Sequence, residues 1–274
     1  MNTTKNDDIM ITDMLDTKKI EALLSKKGIE VPKITYYPLT DSTNERAKVY
    51  ALEHPSDTAT HVFIADEQTA GRGRRGRSFV SNRGAGIFLT VLMHPGESGF
   101  DATRITAKAA VALARATESL TGAKTYIKWV NDIYLGGKKL AGILVEGAMQ
   151  NDGNLPYVIV GMGINVYKNA ISDEISDIAT SIESETGLRV DRDELAARII
   201  SEFLKVAKEM SEEEAFFEYR SRSFILGREV TVMKLTESYK ARVLDLNPDY
   251  SLLIKKENGE TESLFTGEVS LRLK

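Results

Sequence analysis

With 274 residues, 42% hydrophobic and 28% charged, the chain has room for one large soluble domain or a large one with a small companion. A net charge of -4 argues against bulk attraction to nucleic acid or anionic lipid, and the lack of cysteine excludes disulfides, thiolate metal sites and a cysteine nucleophile. Met1–Asp8 is polar and acidic without a signal-peptide pattern, and no apolar run approaches a membrane span, so the expected compartment is the cytoplasm.

From the N-terminus, Ile20, Leu23 and Leu24 recur at helical spacing and predict a helix over Thr17–Lys27. It is the one element of a short leading segment, residues 1–30, which has no room for a separate DNA-binding domain. Strands and helices then mix. Ser42 and Glu45 have capping-box spacing at the start of a helix running to about Leu52. His61–Asp66 and Gly86–His94, rich in Val, Ile and Phe, predict strands joined through a Gly/Arg loop, Gln68–Ser81. Asp101–Leu120 is alanine-rich, with Ile105, Ala109, Ala112, Leu113, Ala116 and Leu120 along one side, and predicts a helix.

An antiparallel run follows: Thr125–Trp129, Ile133–Leu135 and, after a Gly136-Gly137 turn, Lys138–Glu146. Asn151–Asn154 predicts a turn and Tyr157–Val166 a strand. Asp191 opens a helix with Glu194 at the capping-box position and Leu195, Ile199 and Phe203 on one face, and a further helix covers Ser211–Arg220. From Gly227 the pattern changes to short strands, Val230–Met233, Lys240–Asp245, Ser251–Lys255 and Glu262–Phe265, with turns such as Asn258-Gly259 between them. These predict a small barrel-like unit. The expected architecture is α+β: a mixed, mainly antiparallel sheet flanked by helices, with a small all-β C-terminal domain.

Three histidines, His54, His61 and His94, have no ligand-like spacing and read as structural or surface residues. The least ordinary stretch is Ala70-Gly71-Arg72-Gly73-Arg74-Arg75-Gly76-Arg77. Four guanidinium groups within six residues repel one another until an anion arrives, and their planar forks suit phosphate or carboxylate. The glycines let backbone amides approach such a ligand. A solvated surface loop is the plain alternative. Gly71-x-Gly73-x-x-Gly76 has dinucleotide-fingerprint spacing, but no helix pattern follows, and no Gly-Lys-Ser/Thr completes a phosphate loop. An arginine-rich nucleic-acid arm would need flanking aromatics, which are sparse.

Lys128-Trp129-Val130-Asn131-Asp132 sets a lysine and an asparagine at a strand end beside an acid. A semi-buried ammonium there needs an anion, which a reacting carboxylate or an α-phosphate would supply; an edge-strand pair with Asp132 is the alternative. Lys139-Leu140-Ala141-Gly142-Ile143-Leu144 and Gly161-Met162-Gly163-Ile164-Asn165-Val166 place glycines inside strands, where they mark a close approach by a ligand or another backbone, or else a bulge.

Taken in order, Asp41-Ser42-Thr43-Asn44, the stretch Gln68–Arg77, Lys128–Asp132, Lys139–Leu144 and Gly161–Val166 resemble the biotin–protein ligase family. Gly267-Glu268-Val269-Ser270-Leu271-Arg272 closes a match covering roughly residues 34–274. The resemblance implies a catalytic domain over residues 31–225 and an SH3-like β-barrel domain over residues 226–274, in a monofunctional form without the N-terminal winged helix. It implies two half-reactions: biotin and ATP give biotinyl-5′-AMP and pyrophosphate, with Mg²⁺ screening the leaving group, and an acceptor lysine then takes the biotinyl group and releases AMP. The implied partner is the biotin carboxyl carrier protein or domain of a biotin-dependent carboxylase, with no DNA and no membrane. Monomer and homodimer are both left open.

Residue by residue, the resemblance assigns Ser42, Thr43, Asn44 and Gln68 to biotin's polar ring, with Gly73, Arg74 and Gly142 also at biotin. Arg72 and Lys128 would contact biotin's carboxylate and the α-phosphate, and with Arg74 they form the implied catalytic set. Arg74, Arg75, Arg77, Asn131, Asn165 and Arg272 would serve ATP, the loop arginines by ordering over the intermediate. The physics agrees, since two mutually repelling anions need fixed cations to bring them together. No general base for the acceptor lysine is assigned. The chain departs from the family pattern at Val130 and Asn82, usually proline, and at Phe79, usually tryptophan. A lipoate-type acyl ligase shares fold and chemistry, but the Arg–Gly loop favours biotin; a nucleic-acid module using Arg72–Arg77 leaves Lys128 and Asn165 without a purpose.

Overall fold

The structure, a computed structural model, describes residues 14–94, 101–147, 157–234, 237–265 and 268–270. In chain order the larger part carries α1 (Thr17–Lys26), β1 (Lys33–Tyr37), α2 (Thr43–Glu53), β2 (His61–Ala65), β3 (Gly86–Met93), α3 (Ala102–Thr121), β4 (Tyr126–Lys128), β5 (Asp132–Leu135), β6 (Lys138–Gly147) and β7 (Val158–Asn165). Helices α4 (Ile182–Thr186), α5 (Arg192–Glu209) and α6 (Glu212–Arg222) follow, then β8 (Glu229–Met233), β9 (Ser238–Leu246), β10 (Leu252–Lys256), β11 (Thr261–Leu264) and β12 (Glu268–Ser270).

Seven strands form one sheet in the order β1-β2-β3-β7-β6-β5-β4. β1 pairs with β2 in parallel, and every other neighbouring pair in this sheet is antiparallel. The other five form an antiparallel sheet ordered β11-β10-β9-β8-β12. The α+β reading therefore holds, with a mixed and mainly antiparallel main sheet.

Alternation along the strands divides the main sheet into two faces. Val62 and Ile64 of β2, Ile87, Leu89 and Val91 of β3, and Val160, Met162 and Ile164 of β7 enter the large core with α3 and α5. Their neighbours Phe63, Leu92 and Ile159 pack instead against Ala47 and Ala51 of α2. On this second face fall Thr90, Gly161, Gly163, Gly142 and Glu146, one position out of phase with the core residues. The register shifts between Ile133 and Tyr134, so that Leu140 and Ala141 both turn into the core and Lys139 and Gly142 both turn away from it.

Caps explain most helix starts. Asp101 accepts from the amides of Thr103 and Arg104, and Asp191 from those of Asp193 and Glu194. Glu194 pairs with Arg198 at 2.8 Å instead of reaching back to a cap. The capping box lies one helix later, where Ser211 and Glu214 bond reciprocally. At α2 the expected Ser42–Glu45 box is absent: Ser42 makes no side-chain cap, and Gln68 Oε1 accepts from the Thr43 amide at 2.8 Å. Gly136 and Gly137, at φ of 59° and 84°, make the expected hairpin turn.

Strands β1 and β12 and the short helix α4 carry no clear sequence pattern. The expected turn at Asn151–Asn154 lies outside the described residues. Among the described residues no helix is long and apolar enough to cross a membrane. The C-terminal sheet shares the main apolar core through Val230, Val232, Val243, Leu252 and Ile254. Trp129 Nε1 donates to the Tyr250 carbonyl at 2.8 Å, tying the β4–β5 link to the turn between β9 and β10, and Tyr219 of α6 donates its hydroxyl hydrogen to the Val130 carbonyl at 2.9 Å.

Candidate active site

The second face of the main sheet, the start of α2 and the Arg–Gly loop enclose a cavity of about 340 Å³. Ser42, Thr43, Asn44, Gln68, Arg72, Gly73, Arg74, Arg77, Lys128, Asn131 and Gly142 all line it. Eleven residues chosen from scattered motifs thus converge on one space. Met233 and Val269 of the C-terminal sheet close part of its wall.

One end is polar and tightly bonded. The Thr43 hydroxyl donates to Gln68 Oε1 at 3.1 Å, and Gln68 Nε2 donates to Ser81 Oγ at 3.1 Å. Thr90, fully buried in β3, lies 2.8 Å from Thr43 Oγ1 and 2.7 Å from Asn44 Oδ1. Asn44 Nδ2 donates to Glu146 Oε2 at 2.7 Å. The strand glycines permit this arrangement. A Cβ on Gly161 would sit 2.2 Å from Asn44 Oδ1, and one on Gly163 would sit 2.9 Å from the Phe79 ring. The close approach is made by this chain's own side chains, where the sequence points to a ligand, another backbone or a bulge. Just ahead, Asp41 bonds the Ser42 amide, the Thr40 hydroxyl and Arg46; burial pushes its carboxyl up, but these partners outweigh burial and hold it below the usual range.

The other end is cationic. Arg72 Nη1 pairs with Glu45 Oε2 at 3.2 Å, and its side chain remains 54% exposed. Arg74 Nη1 donates to Asn131 Oδ1 at 3.3 Å, while Asn131 Nδ2 donates to the Ile143 carbonyl at 2.7 Å and so turns its oxygen toward the arginine. The loop carrying these arginines is closed on itself: Phe79 N–H donates to the Gly71 carbonyl at 2.9 Å and Gly73 N–H to the Arg77 carbonyl at 2.7 Å. Phe79 lies edge-on to Phe88, and Asn82 Nδ2 donates to the Asn169 carbonyl at 2.9 Å.

Lys128 projects from edge strand β4 into the cavity, with Nζ 3.4 Å from the Tyr134 hydroxyl and 5.6 Å from its ring centre. Burial, with the nearby Asp132 charge, pushes the Tyr134 phenol up to about 12, so it faces the ammonium as a neutral group. The edge-strand alternative fails in detail. Asp132 is the register partner of Lys128, yet it forms its ion pair with Lys139, at 2.7 Å. The peptide between Trp129 and Val130 is cis.

One assigned residue stands elsewhere. Asn165 is buried and off the cavity wall, donating Nδ2 to the Thr180 carbonyl at 3.1 Å. Arg272 lies outside the described residues, and of Arg75 only the backbone, within the 3₁₀ turn Arg74–Gly76, is described. Sequence reading missed Thr90, Glu146, Ser81 and Tyr134. A signal existed for Thr90, the one hydroxyl interrupting an apolar strand; none distinguished Glu146 from an ordinary strand-end acid.

The sequence and the fold have counterparts among known proteins. Residues 36–165 match the Biotin/lipoate A/B protein ligase family. The chain is 30% identical over 224 residues to the biotin--[acetyl-CoA-carboxylase] ligase of Mycobacterium tuberculosis, covering 80% of this chain and 81% of that one. It is 29% identical over 252 residues to the bifunctional ligase/repressor BirA of Bacillus subtilis, covering 87% and 74%. The biotin protein ligase from Aquifex aeolicus in complex with biotin and ATP superposes with a TM-score of 0.73 at 28% identity, over 88% of this chain and 98% of that one. This chain belongs to the biotin protein ligase family.

Proposed function

We infer that the protein activates biotin with ATP and transfers it to a lysine of a biotin carboxyl carrier protein, as a biotin–[acetyl-CoA-carboxylase] ligase. The observation that carries this is the convergence of a bonded polar end and a cationic end on one cavity, in a chain of this family. Biotin's ring would meet Ser42, Thr43, Asn44 and Gln68, with Gly73 and Gly142 allowing close approach. Its carboxylate would lie toward Arg72, Arg74 and Lys128. Attack of that carboxylate on the α-phosphorus forms the acyl phosphate bond, breaks the bond to the β-phosphate oxygen and releases pyrophosphate. The acceptor ε-amine then attacks the acyl carbon, forms the amide, loses a proton and expels AMP.

The chain's contribution is placement and fixed charge. Two anions approach each other only where cations offset their repulsion, and Lys128 and Arg72 supply this without proton transfer. Arg74, Arg75 and Arg77 are assigned to the loop that shields the hydrolysable intermediate, with Asn131, Asn165 and Arg272 on the nucleotide side. Mg²⁺ belongs to this reading as the ion that accompanies ATP. Among the described residues no cluster of three or more His, Cys, Asp or Glu could hold a metal, so no residue is assigned to it.

Residues 31–225 are read as the catalytic domain and residues 226–274 as an SH3-like one, the latter supported by the five short antiparallel strands. A cytoplasmic setting accords with the cysteine-free composition. The test is incubation with biotin, ATP, Mg²⁺ and a carrier domain. Streptavidin-reactive carrier and biotin-dependent pyrophosphate release are expected; neither product, or equal use of lipoate, would overturn the reading.

A further inference from the structure

We propose that Glu146, which does not line the cavity, is the positioning residue that makes the pocket selective for a ring bearing N–H donors, by fixing which end of the Asn44 amide faces the ligand. The inference rests on the biotin reading above.

Asn44 is wedged between three strands. From β6, Glu146 Oε2 lies 2.7 Å from its Nδ2, with the Leu144 carbonyl 3.5 Å away on the same side. From β3, the hydroxyl of Thr90 lies 2.7 Å from its Oδ1. From β7, Gly161 supplies bare backbone beneath it, where a Cβ would sit 2.2 Å from Oδ1. An amide has an N–H end and a carbonyl end of nearly the same shape, so packing alone does not decide which end points where. Chemistry decides it. A carboxylate only accepts hydrogen bonds, so Glu146 takes the N–H end and turns the carbonyl end toward Thr90 and the cavity.

The consequence passes along the network. A carbonyl oxygen has two lone pairs; Thr90 occupies one and the other is presented to the cavity. The Thr43 hydroxyl has already given its hydrogen to Gln68 Oε1, so it too offers lone pairs. Thr90 shares its single hydrogen between Thr43 and Asn44. This end of the cavity therefore displays acceptors side by side. Their complement is a pair of N–H groups on a compact ring, which a cyclic urea provides and a dithiolane ring does not. A site built around buried acceptors rejects a ligand without donors because those acceptors lose water and gain no partner. Ser42, buried and free of a capping bond, is positioned at the same wall for the urea oxygen.

The test compares the full-length protein with Glu146→Gln, Thr90→Val and Thr90→Ser. Ligands are biotin and a biotin derivative methylated on both ureido nitrogens, with binding followed by calorimetry and turnover by pyrophosphate release. A glutamine at 146 can offer N–H as well as oxygen, which frees Asn44 to turn. Glu146→Gln is expected to raise the Kd and KM for biotin about tenfold or more while preference for biotin over the methylated ligand falls in proportion. The KM for ATP and kcat should stay within about twofold. Thr90→Val should behave likewise, and Thr90→Ser should restore binding, so the question remains answerable if one variant fails to fold. Unchanged selectivity in Glu146→Gln and Thr90→Val overturns the proposal, as does an equal loss of both ligands. A parent protein that binds no biotin at all would instead strike the function itself.

Discussion

At the polar end of the cavity, Thr43, Asn44 and Gln68 bond to Thr90, Glu146 and Ser81, held by packed strands and the start of a helix. At the cationic end, Arg72 and Arg77 line the cavity from a glycine-jointed loop with their side chains exposed, Arg72 pairs with Glu45, and Arg74 donates to Asn131. The first region is organised before any ligand arrives and can discriminate by hydrogen-bond polarity. The second holds charge in an exposed, rearrangeable form and can discriminate only by the charge of what enters. Selection and activation are thus assigned to different kinds of structure within one cavity.

That division can be broken experimentally. Lys128→Ala should have the largest effect, lowering biotin-dependent pyrophosphate release by about a thousandfold while leaving thermal unfolding of the unliganded protein nearly unchanged. Gly161→Ala strikes the organised end. Its Cβ would meet Asn44 Oδ1 at 2.2 Å, and biotin binding measured by calorimetry should weaken by about 1–3 kcal/mol with kcat retained at saturation. Arg74→Gly strikes the rearrangeable end. It should keep adenylation within about tenfold but let biotinyl-AMP escape, seen as labelling of added bystander proteins; retention equal to the parent would contradict the shielding role.

The smallest effect concerns pH. The Asp41 carboxyl is held below the usual range, so its contribution is complete above that range and is lost as pH falls through and below it. Biotin affinity should therefore stay level from neutrality into mild acid and decline below the ordinary carboxylate range. Asp41→Asn should start weaker and show a shallower decline.

Much of this was legible in the sequence because the relevant patterns are local. Alanine-rich Ala102–Thr121, the Gly136-Gly137 turn and the arginine loop each declare themselves within a few neighbouring residues. The site was legible as an ordered set of such pieces. What stayed hidden depends on long-range pairing. Gln68 replaces Ser42 as the cap of α2 from 25 residues away, and Asn44 finds Glu146 across 102 residues. Lys139 takes Asp132 from Lys128 where the register shifts after Ile133, an irregularity that no nearest-neighbour pattern announces. β1 has no clean alternation because it lies at the sheet edge, with no residue fully buried.

The bond from Trp129 to Tyr250 has a thermodynamic corollary. Met233 and Val269 complete the cavity wall, so a molecule filling the cavity would touch both sheets and act as a rivet between them. Occupancy should then raise the melting temperature of the C-terminal sheet and the main sheet together, and a protein whose joint has loosened should lose its ligand before either sheet unravels. Affinity in this molecule is in part a property of how two sheets stay fastened.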